Sequence, residues 1–92
     1  MARPRKPRQC GCQIPCRGFK PAGVPLTQLN TQRLAHDELE ALKLCDLEGL
    51  TQEEAGERMG VSRGTVQRTL KAARAKVAHA LVEGEALLLA DE

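Results

Sequence analysis

The chain has 92 residues, 41% hydrophobic and 28% charged, with a net charge of +2, no Trp, no Tyr and Phe19 as its single aromatic. That length supports one domain with a modest core, and the shortage of aromatics excludes a base-stacking platform for single-stranded nucleic acid. No apolar run approaches membrane-spanning length and no apolar segment follows the basic start, so the expectation is a cytoplasmic protein with no membrane partner.

Residues 1–30 contain all five prolines and little apolar periodicity, which predicts a basic, cysteine-containing arm and loop. Its opening, RPRKPR, places Arg3, Arg5, Lys6 and Arg8 on a backbone that Pro4 and Pro7 keep extended. Such a strand suits a narrow A·T-rich minor groove, whose negative potential attracts arginine; the plainer alternative is a tail that adds phosphate affinity without sequence preference. Cys10, Cys12 and Cys16 follow as C-x-C-x3-C, close enough to converge on one ion but unlike the paired C-x2-C of common zinc folds. Zinc, an iron-sulfur cluster, a redox-sensing thiol group and incidental cysteines all stay open, with Cys45, His36, His79, water or a partner as a fourth ligand. By itself, Cys45 reads as a small hydrophobe on the inner side of a helix.

Residues 31–84 are read as the helical domain. A first helix is predicted from Asp37 to Glu48, with acids in its opening turn and Gly49 past its close. Its apolar stripe is Leu39, Leu42 and Cys45, flanked by Ala41 and Leu44. Thr51-Gln52-Glu53-Glu54 is a capping-box pattern that starts a second helix, which Gly60 stops within about two turns. Ser62 caps the third, predicted from Arg63 to Val82 with Val66, Leu70, Ala73, Val77 and Leu81 on its buried stripe. The tail, residues 85–92, holds EALLLAD, too short for another helix and suited to a strand that pairs with the Pro-rich segment or with a second subunit. The fold class expected is therefore all-α: a three-helix domain with an extended arm and a short C-terminal strand.

The charges are segregated. Residues 1–20 and 58–76 carry basic side chains and no acid, while the acids lie in the middle and at the end. Two faces of opposite sign are the footprint of a polyanion binder.

Gln52 to Leu70, QEEAGERMGVSRGTVQRTL, has the layout of a helix-turn-helix. Ala55, Met59, Val61 and Val66 fall where side chains are buried between two helices, and Gly56 where the pair comes closest. Gly60 supplies a turn residue able to adopt positive φ. With Val66 and Leu70 inward, the outer face presents Arg63, Gly64, Thr65, Gln67 and Arg68, the set expected at base edges. Arginine can grip guanine in bidentate fashion, glutamine can grip adenine, and threonine can touch a thymine methyl. Thr51, Gln52, Ser62, Lys71 and Arg74 are the expected phosphate contacts, which position without reading sequence. No catalytic triad, phosphate-cradling glycine loop or HExxH stands in the chain, so no enzymatic activity is expected.

Residues 37–85, together with the ARPRK start, the cysteine-bearing segment and KPAGVPL, resemble the small prokaryotic proteins grouped as domain-of-unknown-function family 134. The family usually has a small apolar residue at the position of Cys45 and a larger one at that of Gly64. The resemblance implies a helix-turn-helix similar to the fourth region of bacterial sigma factors, within the winged-helix-like superfamily. It also implies double-stranded DNA as partner and a role in transcription regulation. One such helix reads few base pairs, so a homodimer on a two-fold site is expected. The competing expectation is a sigma-like adaptor that contacts RNA polymerase without reading DNA.

Overall fold

The computed structural model describes residues 18–89. Three helices and a three-stranded mixed sheet share that span, in the order β1 (Gly18–Phe19), β2 (Thr31–Leu34), α1 (His36–Ala41), α2 (Gln52–Met59), α3 (Arg63–Glu83) and β3 (Ala86–Leu89). The expectation of an all-α fold is thus corrected: the molecule is mostly helical, but a sheet closes one end of it.

β3 is the central strand. It runs antiparallel to β1, with Gly18 opposite Leu88, and parallel to β2, with Thr31 opposite Ala86 and Leu34 opposite Leu89. Parallel neighbours cannot be joined by a tight turn and need a long crossover. Here the crossover is the whole helical region between Leu34 and Ala86. Gly18 suits the place where β1 meets β3, because a Cβ there would come within 2.9 Å of the Leu88 side chain and 3.0 Å of the Leu87 carbonyl oxygen, and the neighbours would have to give way. Neither β1 nor β2 shows in the periodicity: the first has two residues, and the second, Thr-Gln-Arg-Leu, has one apolar side chain.

Two apolar clusters hold the fold. Leu34, Ala73 and Leu89 are buried between sheet and α3, with Leu39, Leu42, Val77 and Leu87 packed against them. Leu44, Ala55 and Val66 form the other, between the helices, with Cys45, Leu50 and Met59 around it. The first helix is wedged between both clusters, so Ala41 and Leu44 are its most buried apolar residues, whereas the predicted stripe of Leu39, Leu42 and Cys45 is only half-buried. Its second half is also not α-helical. Leu42–Leu47 winds as a π-helix, closed by the Glu48 N–H donating to the Lys43 carbonyl at 2.9 Å.

Along α3 the predicted stripe holds at Val66, Leu70 and Ala73, with Val77 half-buried. It fails at Leu81, which is 77% exposed while Ala80 is buried in its place. The helix closes against the sheet through a small residue, since Gly84 and the Glu85 N–H bond to the Ala80 carbonyl bring β3 in directly beside Ala80. Val61 is likewise exposed instead of buried, because it sits in the turn between α2 and α3 with its N–H tied back to Gly56.

Lys76 joins three elements. Its Nζ donates to the Arg33 carbonyl and to Glu38 Oε1, both at 2.8 Å, and the same carboxylate oxygen accepts the Ala35 N–H at 2.8 Å. Glu38 is the one buried charged residue among those described, and these partners offset its desolvation.

Candidate nucleic-acid interface

The α2–turn–α3 unit is built from local signals. Thr51 Oγ1 accepts the Glu54 N–H at 3.1 Å while Glu54 Oε1 accepts the Thr51 N–H at 2.9 Å, a reciprocal cap that starts α2. Gly60 ends it in the left-handed conformation, φ 75°, which a Cβ would penalise. Ser62 Oγ then accepts the Thr65 N–H at 3.1 Å and starts α3, whose first turn contains no acid. Between the helices, Ala55, Gly56 and Val66 are buried.

The outer side of α3 carries the residues expected to read bases. Arg63, Gln67 and Arg68 are exposed, and Gly64 and Thr65 are half-exposed at its N-terminal end. Two of them, Thr65 and Arg68, are linked to the Ser62 cap. Thr65 Oγ1 accepts from Ser62 Oγ at 3.0 Å and from Arg68 Nη2 at 3.3 Å, so one hydroxyl chain orients the guanidinium over the first turns. Part of the conformational cost of ordering a long arginine is thereby met before any ligand arrives. Gly64 leaves space, since a Cβ there would make only an ordinary contact, 3.5 Å from Arg68 Nη1.

The expected phosphate contacts divide into three groups. Lys71 is exposed on α3 with no acidic partner among the described residues. Thr51, Gln52 and Ser62 stand at the helix starts, Thr51 and Ser62 exposed and Gln52 half-buried, with the acids Glu53 and Glu54 beside the first two. Arg74 is committed elsewhere: its Nε and Nη2 grip the two carboxylate oxygens of Asp46 at 3.1 and 2.6 Å. The pairing holds the Asp46 carboxyl below its ordinary range. Nothing local in the sequence announces it, because the partners are 28 residues apart.

The family described as "Protein of unknown function DUF134" matches residues 1–91. The chain belongs to the DUF134 family. Among its relatives, the UPF0251 protein of Desulforudis audaxviator is 55% identical over 87 residues, covering 95% of this chain and 57% of its own length. That of Halothermothrix orenii is 52% identical over 87 residues, covering 95% and 64%. The UPF0251 protein of Vibrio parahaemolyticus is 49% identical over 92 residues, covering 100% and 96%. This DUF134 chain therefore spans less than two thirds of the first two relatives and nearly all of the third. No solved structure matches it.

Several expected sites of this DUF134 protein, the arm residues Arg3, Arg5, Lys6 and Arg8 and the cysteines Cys10, Cys12 and Cys16, lie outside the described residues. Among the described residues, no three His, Cys, Asp or Glu side chains come together to hold a metal ion. Cys45 is half-buried against the helix cluster, and burial, with help from Asp46, pushes its thiol up from the ordinary value. His36 opens α1. His79 is exposed on α3 and engaged by Glu85 Oε1 at 2.8 Å, with Gln32 Nε2 within 3.0 Å of that same oxygen. No described helix is long and apolar enough to cross a membrane.

Proposed function

We propose that this DUF134 chain is a cytoplasmic, sequence-specific binder of double-stranded DNA, acting in transcription regulation, with α3 in the major groove. The observation that carries this reading is the outer face of α3. Arg63, Thr65, Gln67 and Arg68 stand there on a capped helix start, Arg68 is oriented through Thr65 and Ser62, and no acid interrupts the face before Glu83. Arg68 and Arg63 supply bidentate donors for guanine, Gln67 for adenine, and Thr65 a methyl contact. Lys71 supplies a phosphate contact. In this reading the protein is not an enzyme, and Cys10, Cys12 and Cys16 are a zinc or iron-sulfur site, or a thiol sensor, that reports on the cell's metal or redox state.

A homodimer belongs to the same reading. A groove of about 470 Å³ lined by Phe19, Pro21, Leu81 and Leu87, with Phe19 and Leu81 largely exposed, supplies apolar surface at the end of α3 opposite its reading end. A second reading, an adaptor for RNA polymerase, is favoured by Leu47, which is 79% exposed between the acids Asp46 and Glu48.

The test is a selection on sheared genomic DNA, with protein purified without oxygen and the retained fragments sequenced at near-physiological salt. A few enriched sites sharing a two-fold motif would support the regulator. Uniform retention abolished by salt would leave phosphate affinity alone and favour the adaptor.

A further inference from the structure

We propose that Asp46 limits how many phosphates this protein engages, by holding the guanidinium of Arg74 where a phosphate would otherwise sit. The inference rests on the DNA-binding reading above. Arg63, Gln67, Lys71 and Arg74 are spaced four, four and three, so they form one stripe along α3. At 1.5 Å per residue, Arg74 lies about 16 Å along the axis from Arg63. The major groove is about 12 Å wide, so a helix reading bases near Arg63 passes the groove wall where Arg74 stands. That wall is phosphate.

Arg74 meets it already occupied. The Asp46 contact takes Nε and Nη2, one complete edge of the fork, in the bidentate geometry that guanidinium also uses for phosphate. Both side chains remain about half-exposed, 56% for Arg74 and 40% for Asp46, so the pair is accessible to a ligand instead of sealed in the core. An approaching backbone therefore meets a neutral pair, and no counterion is released at this position. Asp46 is held on the π-wound turn, which packs against α3. The phosphate stripe on α3 thus ends at Lys71 while Asp46 keeps its charge, and Asp46 is a positioning residue of the interface that nothing in the local sequence marks.

The experiment measures binding of the full chain to a short mixed-sequence duplex by fluorescence anisotropy, across a salt series. For Asp46→Asn the slope of log K against log salt should steepen by about 0.9, the value of one added phosphate contact, with tighter binding at low salt. Arg74→Lys keeps the charge but cannot match both carboxylate oxygens, and should steepen the slope in the same direction. The double variant Asp46→Asn/Arg74→Gln should return to the wild-type slope. Glu48→Gln removes an equal charge two residues away and loosens only a long, exposed contact with Lys43 at 3.7 Å, not a bidentate arginine, and should leave the slope unchanged. Wild-type slopes in both Asp46→Asn and Arg74→Lys, or an equal steepening in Glu48→Gln, would overturn the inference while leaving DNA binding in place. Failure of the wild-type chain to bind the duplex would instead overturn the reading on which it rests.

Discussion

Gly56 and Val61 are held so close that a Cβ on the glycine would stand 2.7 Å from the valine's carbonyl oxygen. The contact is locked by the Val61 N–H, which donates to the Gly56 carbonyl at 2.9 Å. Gly56 is therefore needed for the backbone of the turn as well as for the close approach of the helices, where the same Cβ would lie 3.5 Å from Val66 Cγ2. Gly56→Ala gains about 1 kcal/mol of helix propensity but must displace backbone, at about 1 to 3 kcal/mol. We expect a net loss of stability and a lower urea midpoint; an unchanged or higher midpoint would show that the turn yields freely.

The hydroxyl chain from Ser62 through Thr65 to Arg68 separates reading from positioning. Arg68→Ala should cost about 1 to 3 kcal/mol on the selected site and relax preference at one base pair. Lys71→Ala should weaken all sequences alike and flatten the salt slope by about 0.9. Ser62→Ala should lose about 0.5 to 2 kcal/mol of stability as a missing cap, and part of the discrimination lost in Arg68→Ala. Competition titrations with matched and mismatched duplexes measure these effects, and equal losses on both duplexes in Arg68→Ala would remove it from base reading.

Lys76, in the basic run of α3, is a structural residue. Its removal in Lys76→Met leaves the Glu38 carboxylate buried with only the Ala35 N–H, and frees the Arg33 carbonyl. A loss of about 1 to 3 kcal/mol is expected, part of which Glu38→Gln should recover in the double variant. Denaturant unfolding of the four proteins provides the cycle, and simple additivity would show that the pair is not coupled.

The contact between His79 and Glu85 makes stability depend on pH in a defined window. The hydrogen bond that His79 donates to Glu85, the charge of Glu85 and that of Glu83 raise the His79 pKa above 6.5, so the stabilisation is fully present below that pH and fades as pH rises through the higher folded value. Hydrogen bonds from His79 and Gln32 lower the Glu85 pKa below 4.5, so its contribution is present above that pH and fades as pH falls through the lower folded value. The stability difference between wild type and His79→Gln should therefore be largest between pH 4.5 and 6.5 and shrink on either side. Thermal midpoints across that range test this, and a difference constant with pH would show that the ion pair contributes nothing.

What the sequence determined by itself was everything whose physical cause lies within a few residues. The Thr51–Glu54 and Ser62–Thr65 caps and the turn at Gly60 act over one helical turn, so α2, the turn and the start of α3 were legible, as were the outward positions of Arg63, Gln67 and Arg68. Family membership was legible too, because the resemblance extends along the chain. Tertiary structure alone decided the sheet, the exposure of Leu81 and the capture of Arg74 by Asp46. Each of these satisfies a backbone group, an apolar surface or a charge through a neighbour brought close by the fold. Thr31 finds Ala86 only after the helices have brought the chain back, and four residues with one apolar side chain carry no periodicity that could announce it.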